Sequence, residues 1–202
     1  MPTADFFTRL GLFAVRDFLD ADTCAHLRQE VKKAEKVPGA VGGESGRYEI
    51  DPDSRRTNIA EMPPEAEAMI DKRLSTLIPE VERHFSVRIE GRQRLQFLLY
   101  REGDFFDAHR DRNTSPEAAE FSRRRRVSVV VFLNGEAEEP APEAYGGGSL
   151  TFYGLLGEQG DRQVGLPVVG ETGLLLAFDS NLTHAVTPVT HGERYTVVTW
   201  LV

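Results

Sequence analysis

QRLQFLLYREGDFFDAHRD, residues 93–111, is an alternating apolar segment that passes through a Gly turn and delivers His109 and Asp111 two positions apart. Side chains of a strand alternate between faces, so residues i and i+2 point the same way, and an imidazole and a carboxylate at that spacing can share one ion. Alone the pair is weak evidence, because His-x-Asp recurs by chance and either residue can serve a turn or a cap.

The search for a third ligand leads toward the C-terminus. Of the five histidines, His26 and His84 fall in predicted helices with no second ligand type at a useful spacing, and read as helix-surface residues. His184 follows the apolar strand GLLLAF (173–178) and the turn DSNLT (179–183). Two antiparallel strand ends can bring it to His109 and Asp111. Two neutral imidazoles and one carboxylate on one face of a metal leave three positions open, which is the ligand set of non-haem Fe(II) oxygenases. The carboxylate offsets part of the ion's charge. His191 competes for the third position, but the preceding apolar strand and the spacing to Arg194 favour His184 and leave His191 in a loop.

Arg194 opens the last strand, RYTVVTWLV, in which Arg194, Thr196, Val198 and Trp200 share a face by parity. An arginine among strand residues is costly unless it meets an anion, and its guanidinium fork matches a carboxylate. A ligand with one carboxylate near the metal and another at Arg194 satisfies both observations. Two other constellations are weaker. Gly146, Gly147 and Gly148 could cradle a phosphate, but no strand-loop-helix with lysine follows, so a turn or bulge is expected. Ser128, His184 and Asp179 could form a hydrolase triad, but no G-x-S-x-G elbow supports one.

Composition bounds the rest. With 202 residues, 40% hydrophobic and 28% charged, the chain has the make-up of a soluble globular domain, without an apolar run of bilayer length. Its opening, MPTADFFTRL, lacks a basic start followed by an apolar core, so no secretory signal is expected. The single cysteine, Cys24, excludes an internal disulfide framework and fits a reducing compartment; a cytoplasmic location is expected. A net charge of -8 argues against nucleic acid as a partner, and the basic run Arg123 to Arg126 reads as a solvated strand entrance. Oligomeric state is not readable.

Helices come first and strands afterwards. Asp20 or Asp22 can cap a helix that places Leu27 and Val31 on one face. Residues 37–58 are polar and Gly-rich, and read as a long surface loop, either without a role or a substrate lid. Pro63 and Pro64 suit a helix start, Met69, Ile70, Leu74 and Leu77 keep a helical period, and Pro79 predicts a kink or a fresh start. Strands are expected at 93–101, 127–133, 149–153, 173–178 and 195–202, with an acidic hairpin loop at 136–148. This order gives an α+β fold with helices laid against one antiparallel sheet that closes on a second as a sandwich or jelly roll.

At this point the chain resembles the Fe(II)- and 2-oxoglutarate-dependent dioxygenases, within them the prolyl 4-hydroxylase-like branch. YREGDFFDAHRD (100–111), GGGSLTFY (146–153) and FDSNLTHAVTPVTHGERYTVVTW (178–200) carry the resemblance, and the ordered set His-x-Asp, His, then Arg ten residues later is specific. The resemblance implies a double-stranded β-helix in one dioxygenase domain over 1–202, with 1–92 as helical support and lid loop and 93–202 as jelly-roll core. It further implies that His109, Asp111 and His184 bind Fe(II), that Arg194 binds the distal carboxylate of 2-oxoglutarate, and that Tyr100 lies near this co-substrate. Thr196 and Trp200 join the pocket on the face of Arg194. O2 is the second co-substrate, and ascorbate is admitted as an accessory. The implied reaction hydroxylates an unactivated C-H bond, foremost of a prolyl residue in a protein or peptide. A small molecule such as a free amino acid is the alternative, and a non-catalytic sensor of iron, oxoglutarate or oxygen is the reading from another class. Two departures stand out: residues 127–133 lack the second co-substrate tyrosine of many prolyl hydroxylases, and Arg194 replaces the lysine of the collagen-type members.

Overall fold

The computed structural model describes residues 4–42, 48–155 and 164–202. Its helices are α1 (Ala4–Arg9), α2 (Ala21–Lys33), α3 (Pro64–Phe85) and α4 (Glu120–Arg124). The N-terminal half supplies strands β1 (Phe13–Val15), β2 (Lys36–Pro38), β3 (Val41–Gly42), β4 (Tyr48–Glu49), β5 (Arg55–Arg56), β6 (Asn58–Ala60) and β7 (Gln96–Tyr100). Then come β8 (Phe105–His109), β9 (Val127–Phe132), β10 (Tyr145–Gly147), β11 (Leu150–Tyr153) and β12 (Gly165–Val168). The chain ends with β13 (Leu175–Asp179), β14 (His184–Val186), β15 (Val189–Gly192) and β16 (Arg194–Leu201).

Two antiparallel sheets carry the architecture. The larger runs β1-β13-β9-β16-β7-β6-β2 and the smaller β12-β11-β14-β8-β5, with β10-β15 and β3-β4 as two-stranded additions. This is the jelly roll expected from the strand order.

The larger sheet is buried on both faces, and its parity divides the core. Val127, Val129 and Val131 of β9, Leu175 and Ala177 of β13, and Tyr195 and Val197 of β16 pack with Leu27 and Val31 of α2 and Ile70 and Leu74 of α3. Their neighbours Val130, Phe132, Leu176 and Phe178 point the other way and meet Leu150 and Phe152 of the smaller sheet. Continuous apolar strands result because both faces are covered. The helices are therefore a buttress on one side, and the other side is free to build a site between the sheets.

Helix α2 starts where an Asp cap suggested: the Asp20 side chain accepts the Thr23 amide at 2.7 Å. Helix α3 runs through Pro79 to Phe85 as one element, so of the two expectations there the fresh start does not occur. Neighbouring hydroxyls of Ser75 and Thr76 bond to helix carbonyls one turn back, and the buried Val81 ties the second half to the core. The segment 37–58 differs from expectation. Its described parts include β5, paired with β8, and β6, paired with β7, so it contributes strands to both sheets and is not one structureless loop. Residues 43–47, within the proposed lid, lie outside the described residues. Likewise β1, β2, β5 and β6 add sheet to a region expected to be mainly helical. The 136–148 connection is moored by Glu143, which accepts Arg28 of α2 at 2.9 Å. The β10–β15 pairing shifts register between Gly146 and Gly147, the irregularity expected of this glycine run.

Candidate functional site

Strand β7 runs into a turn at Gly103, whose φ of +81° suits glycine, and returns as β8 to end on His109. β14 lies beside β8 in the smaller sheet, and His184 at its start is the register partner of His109. Asp111 follows just past β8. Ligand atoms of His109, Asp111 and His184 all lie within 4.8 Å of one another.

The orientation of each ring is fixed by the backbone. His109 Nδ1 lies 2.8 Å from the Asp107 carbonyl, and His184 Nδ1 lies 2.9 Å from the Leu182 carbonyl. A carbonyl can only accept, so each Nδ1 carries the proton and each Nε2 presents a lone pair. Those Nε2 atoms face Asp111, from His109 at 3.6 Å and from His184 at 3.5 Å. Burial, reinforced by His109, pushes the His184 pKa down to about 4, so the ring is neutral near pH 7. Burial opposes the charge of Asp111, but the positive charge that the facing imidazoles take up in acid, together with the Ser128 hydroxyl, outweighs it, and its pKa lies well below the usual carboxylate range. Two neutral nitrogen donors and one anionic oxygen converging on a point could hold one divalent cation.

Supports surround this set. Ser128 of β9 donates its hydroxyl to Asp111 Oδ2 at 2.6 Å and is itself 2.9 Å from Ser180 Oγ. Phe106 stacks on the His109 ring at 3.6 Å between centroids. The expectations from sequence had not assigned Ser128 a supporting role; its one signal was a lone hydroxyl at an inward position of VSVVVF.

The triad lines a cavity of about 670 Å³ that also contains Tyr100, Arg194, Thr196, Val198 and Trp200. Arg194 is only 1% exposed. Its guanidinium donates to Thr196 Oγ1 at 3.3 Å, lies 5.1 Å from the Tyr100 ring and 5.3 Å from Phe132, and leaves Nε without a partner. No carboxylate among the described residues pairs with it. A buried cation without a counter-ion is costly, and an incoming carboxylate removes that cost. Tyr100 is the register partner of Arg194 on the neighbouring strand, and Trp200 lies under the Arg125 guanidinium at 3.6 Å. Phe132 stands beneath Arg194, and Tyr145 from β10 approaches the same guanidinium at 5.9 Å. Its phenol is buried, which pushes its pKa up to about 12.

The remaining candidates separate from the site. His84 packs edge-on against Phe13 and Phe85. His191 is not in a loop, as expected, but in β15, and its ring fills the space that a side chain at Gly146 would need. The basic run also departs from expectation: Arg125 is buried against Trp200 while Arg123 and Arg124 close the last turn of α4. No helix among the described residues is long and apolar enough to cross a membrane.

Comparison with known proteins agrees with this architecture. A PKHD-type hydroxylase of Thioalkalivibrio sulfidiphilus is 29% identical over 188 residues, covering 91% of this chain and 74% of the relative. One from Shewanella sp. strain ANA-3 is 31% identical over 105 residues, 52% of this chain and 41% of that protein. Among solved structures, a Pseudomonas putida prolyl-4-hydroxylase superposes with a TM-score of 0.64 at 24% identity, covering 95% of this chain and 91% of that one. A Trichoplax adhaerens prolyl hydroxylase in complex with a hypoxia inducible factor oxygen degradation domain peptide fragment superposes at 0.69 with 19% identity, covering 98% and 86%. The family model of the 2OG-Fe(II) oxygenase superfamily matches residues 95–202, more than half of the chain, and the protein belongs to that superfamily of Fe(II)- and 2-oxoglutarate-dependent dioxygenases, with the fold of its prolyl hydroxylases.

Proposed function

We propose that this chain hydroxylates a prolyl residue of a protein or peptide, holding Fe(II) through His109, Asp111 and His184 and the distal carboxylate of 2-oxoglutarate through Arg194. The observation that carries the reading is one cavity containing both the converging His-Asp-His donors and a buried arginine without a counter-ion. The donor set suits iron, and the guanidinium fork suits the far end of a dicarboxylic acid. In this reading Tyr100, Thr196 and Trp200 shape the co-substrate space on the face of Arg194, and residues 1–202 act as one dioxygenase domain. The prolyl substrate is supported by the hydroxylase relatives and by the peptide held in the Trichoplax structure.

Bound Fe(II) supplies O2 activation coupled to conversion of 2-oxoglutarate to succinate and CO2. The chain's own residues orient and exclude. The Asp107 and Leu182 carbonyls fix the imidazole tautomers, Ser128 fixes the carboxylate, and Phe106 covers one face of His109. Leu98, Val130, Leu150 and Phe178 in the cavity wall keep water from the reacting C-H bond.

The test is incubation of the Fe(II)-loaded protein with 2-oxoglutarate, ascorbate and proline-containing peptides, reading succinate and a mass gain of one oxygen. Succinate formation with the gain on prolyl residues is expected. Oxygen gained only by free metabolites would defeat the prolyl assignment, and oxoglutarate binding without succinate under any condition would favour a sensor.

A further inference from the structure

Besides Arg194, two further guanidiniums line the cavity and are nearly as well buried: Arg55 of β5, 9% exposed, and Arg125, 6% exposed. Each is tied to the His109–Asp111 pair by a contact of its own. Arg55 lies over Phe106 at 4.6 Å, and Phe106 in turn stacks on His109. Arg125 donates from Nη1 to the Asp111 backbone carbonyl at 3.2 Å and lies over Trp200. Arg194 has different surroundings, Tyr100, Phe132 and Tyr145, so the pair is a separate feature of the cavity.

Neither side chain forms a close ion pair with a carboxylate among the described residues, although the Asp111 carboxylate attracts Arg125 from further away. Arg55 donates from Nη1 to the Ala40 carbonyl at 2.8 Å, and its Nε is buried without a partner. Arg125 gives Nε to Gln93 Oε1 at 3.0 Å and has the Tyr48 phenol beside it. No ion pair among the described residues includes either one. Two of the acids that line the cavity are otherwise occupied: Asp51 accepts from Ser54 and the Asp53 amide, while Asp111 faces the imidazoles and Ser128. Burial above all weakens the hold of Arg125 on its proton, with a smaller push from Arg55, against the attraction of Tyr48 and Asp111. Two buried, mutually repelling cations on the wall of one cavity are stabilised by an anion that both can reach.

We propose that Arg55 and Arg125 form a second anion subsite that takes a carboxylate of the primary substrate, so that this chain acts on a residue next to an acidic side chain or next to a free C-terminus. The chain's net charge of -8 gives no general attraction for such a substrate, so selection is local. Placement beside His109 and Asp111, not beside Arg194, sets the carboxylate on the substrate side of the metal ligands.

This inference rests on the hydroxylase reading for its consequence, but binding alone tests it. Isothermal titration calorimetry is run with Mn(II) in place of iron and saturating 2-oxoglutarate, which stops turnover and fills Arg194. N-acetylglycine is compared with N-acetylglycinamide, a pair without proline whose outcome does not depend on the prolyl assignment. Acetyl-Gly-Pro-Asp-amide against acetyl-Gly-Pro-Asn-amide, and acetyl-Gly-Pro acid against its amide, then separate a side-chain carboxylate from a terminal one. The acidic member of at least one pair is expected to bind about tenfold tighter or more, as two charge-assisted hydrogen bonds imply. In Arg125→Gln and in Arg55→Gln the preference falls to about twofold or less, with 2-oxoglutarate affinity retained as the check on folding. Equal binding of acid and neutral members in all three pairs overturns the subsite even where prolyl hydroxylation is observed. A preference for N-acetylglycine, with no hydroxylation of any prolyl peptide, keeps the subsite and overturns the prolyl reading.

Discussion

His109 and His184 are register partners on adjacent antiparallel strands, with ring centroids 4.3 Å apart, so the sheet pairing that builds the fold also sets the spacing of two metal-facing nitrogens. Removing either imidazole leaves the Asp111 carboxylate in place but opens the donor set. His184→Ala and Asp111→Ala are each expected to lose bound iron and succinate formation together. Iron content after desalting is the check, and stoichiometric iron in either variant would remove that residue from the ligand set.

Ser128 acts one layer further out. Its hydroxyl donates to Asp111 Oδ2 at 2.6 Å and also meets Ser180, so it fixes which carboxylate oxygen remains available. Ser128→Ala is expected to weaken Fe(II) binding by about 10- to 100-fold while leaving the fold intact, the range typical of such supporting groups. Competition between the protein and a colorimetric iron chelator measures it. An unchanged affinity would mean that the imidazoles and packing orient Asp111 without help.

In the proposed reading Arg194 serves the co-substrate and not the metal, so the two kinds of binding can be separated. Arg194→Ala should keep iron and lose 2-oxoglutarate, with affinity falling at least about thirtyfold, as expected when a buried charge loses its partner. Arg194→Lys keeps the charge but not the fork, and should fall between the two. Wild-type oxoglutarate affinity in Arg194→Ala would refute the assignment.

The sequence made these groups visible to different degrees, for physical reasons. Strand 93–111 and strand 194–201 alternate over enough residues for parity to place Arg194, Thr196, Val198 and Trp200 on one face, and all four line the cavity. The jelly-roll order followed from the same signal. By contrast β5 and β6 are two and three residues long in a polar segment, too short for any periodicity to register, and are held by tertiary pairing with β8 and β7. Arg125 could not be told from its neighbours in a run of four arginines, because a run has no period; only Trp200 beneath it marks it as buried. Pro79 allowed either a kink or a fresh start from sequence, and the core contacts of α3 on both sides of it keep one continuous helix.

Gly173 joins the turn before β13 to the segment entering α2. Its φ is +79°, and a Cβ there would lie 2.0 Å from the Leu19 carbonyl oxygen, a backbone atom that cannot swing away. Gly173→Ala therefore combines a left-handed residue with a backbone clash, and is expected to destabilise by about 2–4 kcal/mol. Urea unfolding followed through Trp200 emission measures the loss. A change below about 1 kcal/mol would show that the turn relaxes to admit a methyl group.

Cys24 lies on the buried face of α2, and burial pushes its thiol pKa up to about 11. At pH 8 only about one part in a thousand is then thiolate, and the nucleophile in thiol chemistry is the thiolate. Burial protects twice, through low ionisation and through lack of access, so native protein should react with a disulfide reagent at least about 100-fold more slowly than protein in 6 M guanidinium. The same protection implies that thiol-modifying reagents leave succinate formation unchanged over the time that fully labels the unfolded chain. Rapid stoichiometric labelling of the native protein at pH 8 would show that α2 opens from the larger sheet far more often than the packing of its Leu27 and Val31 against that sheet allows.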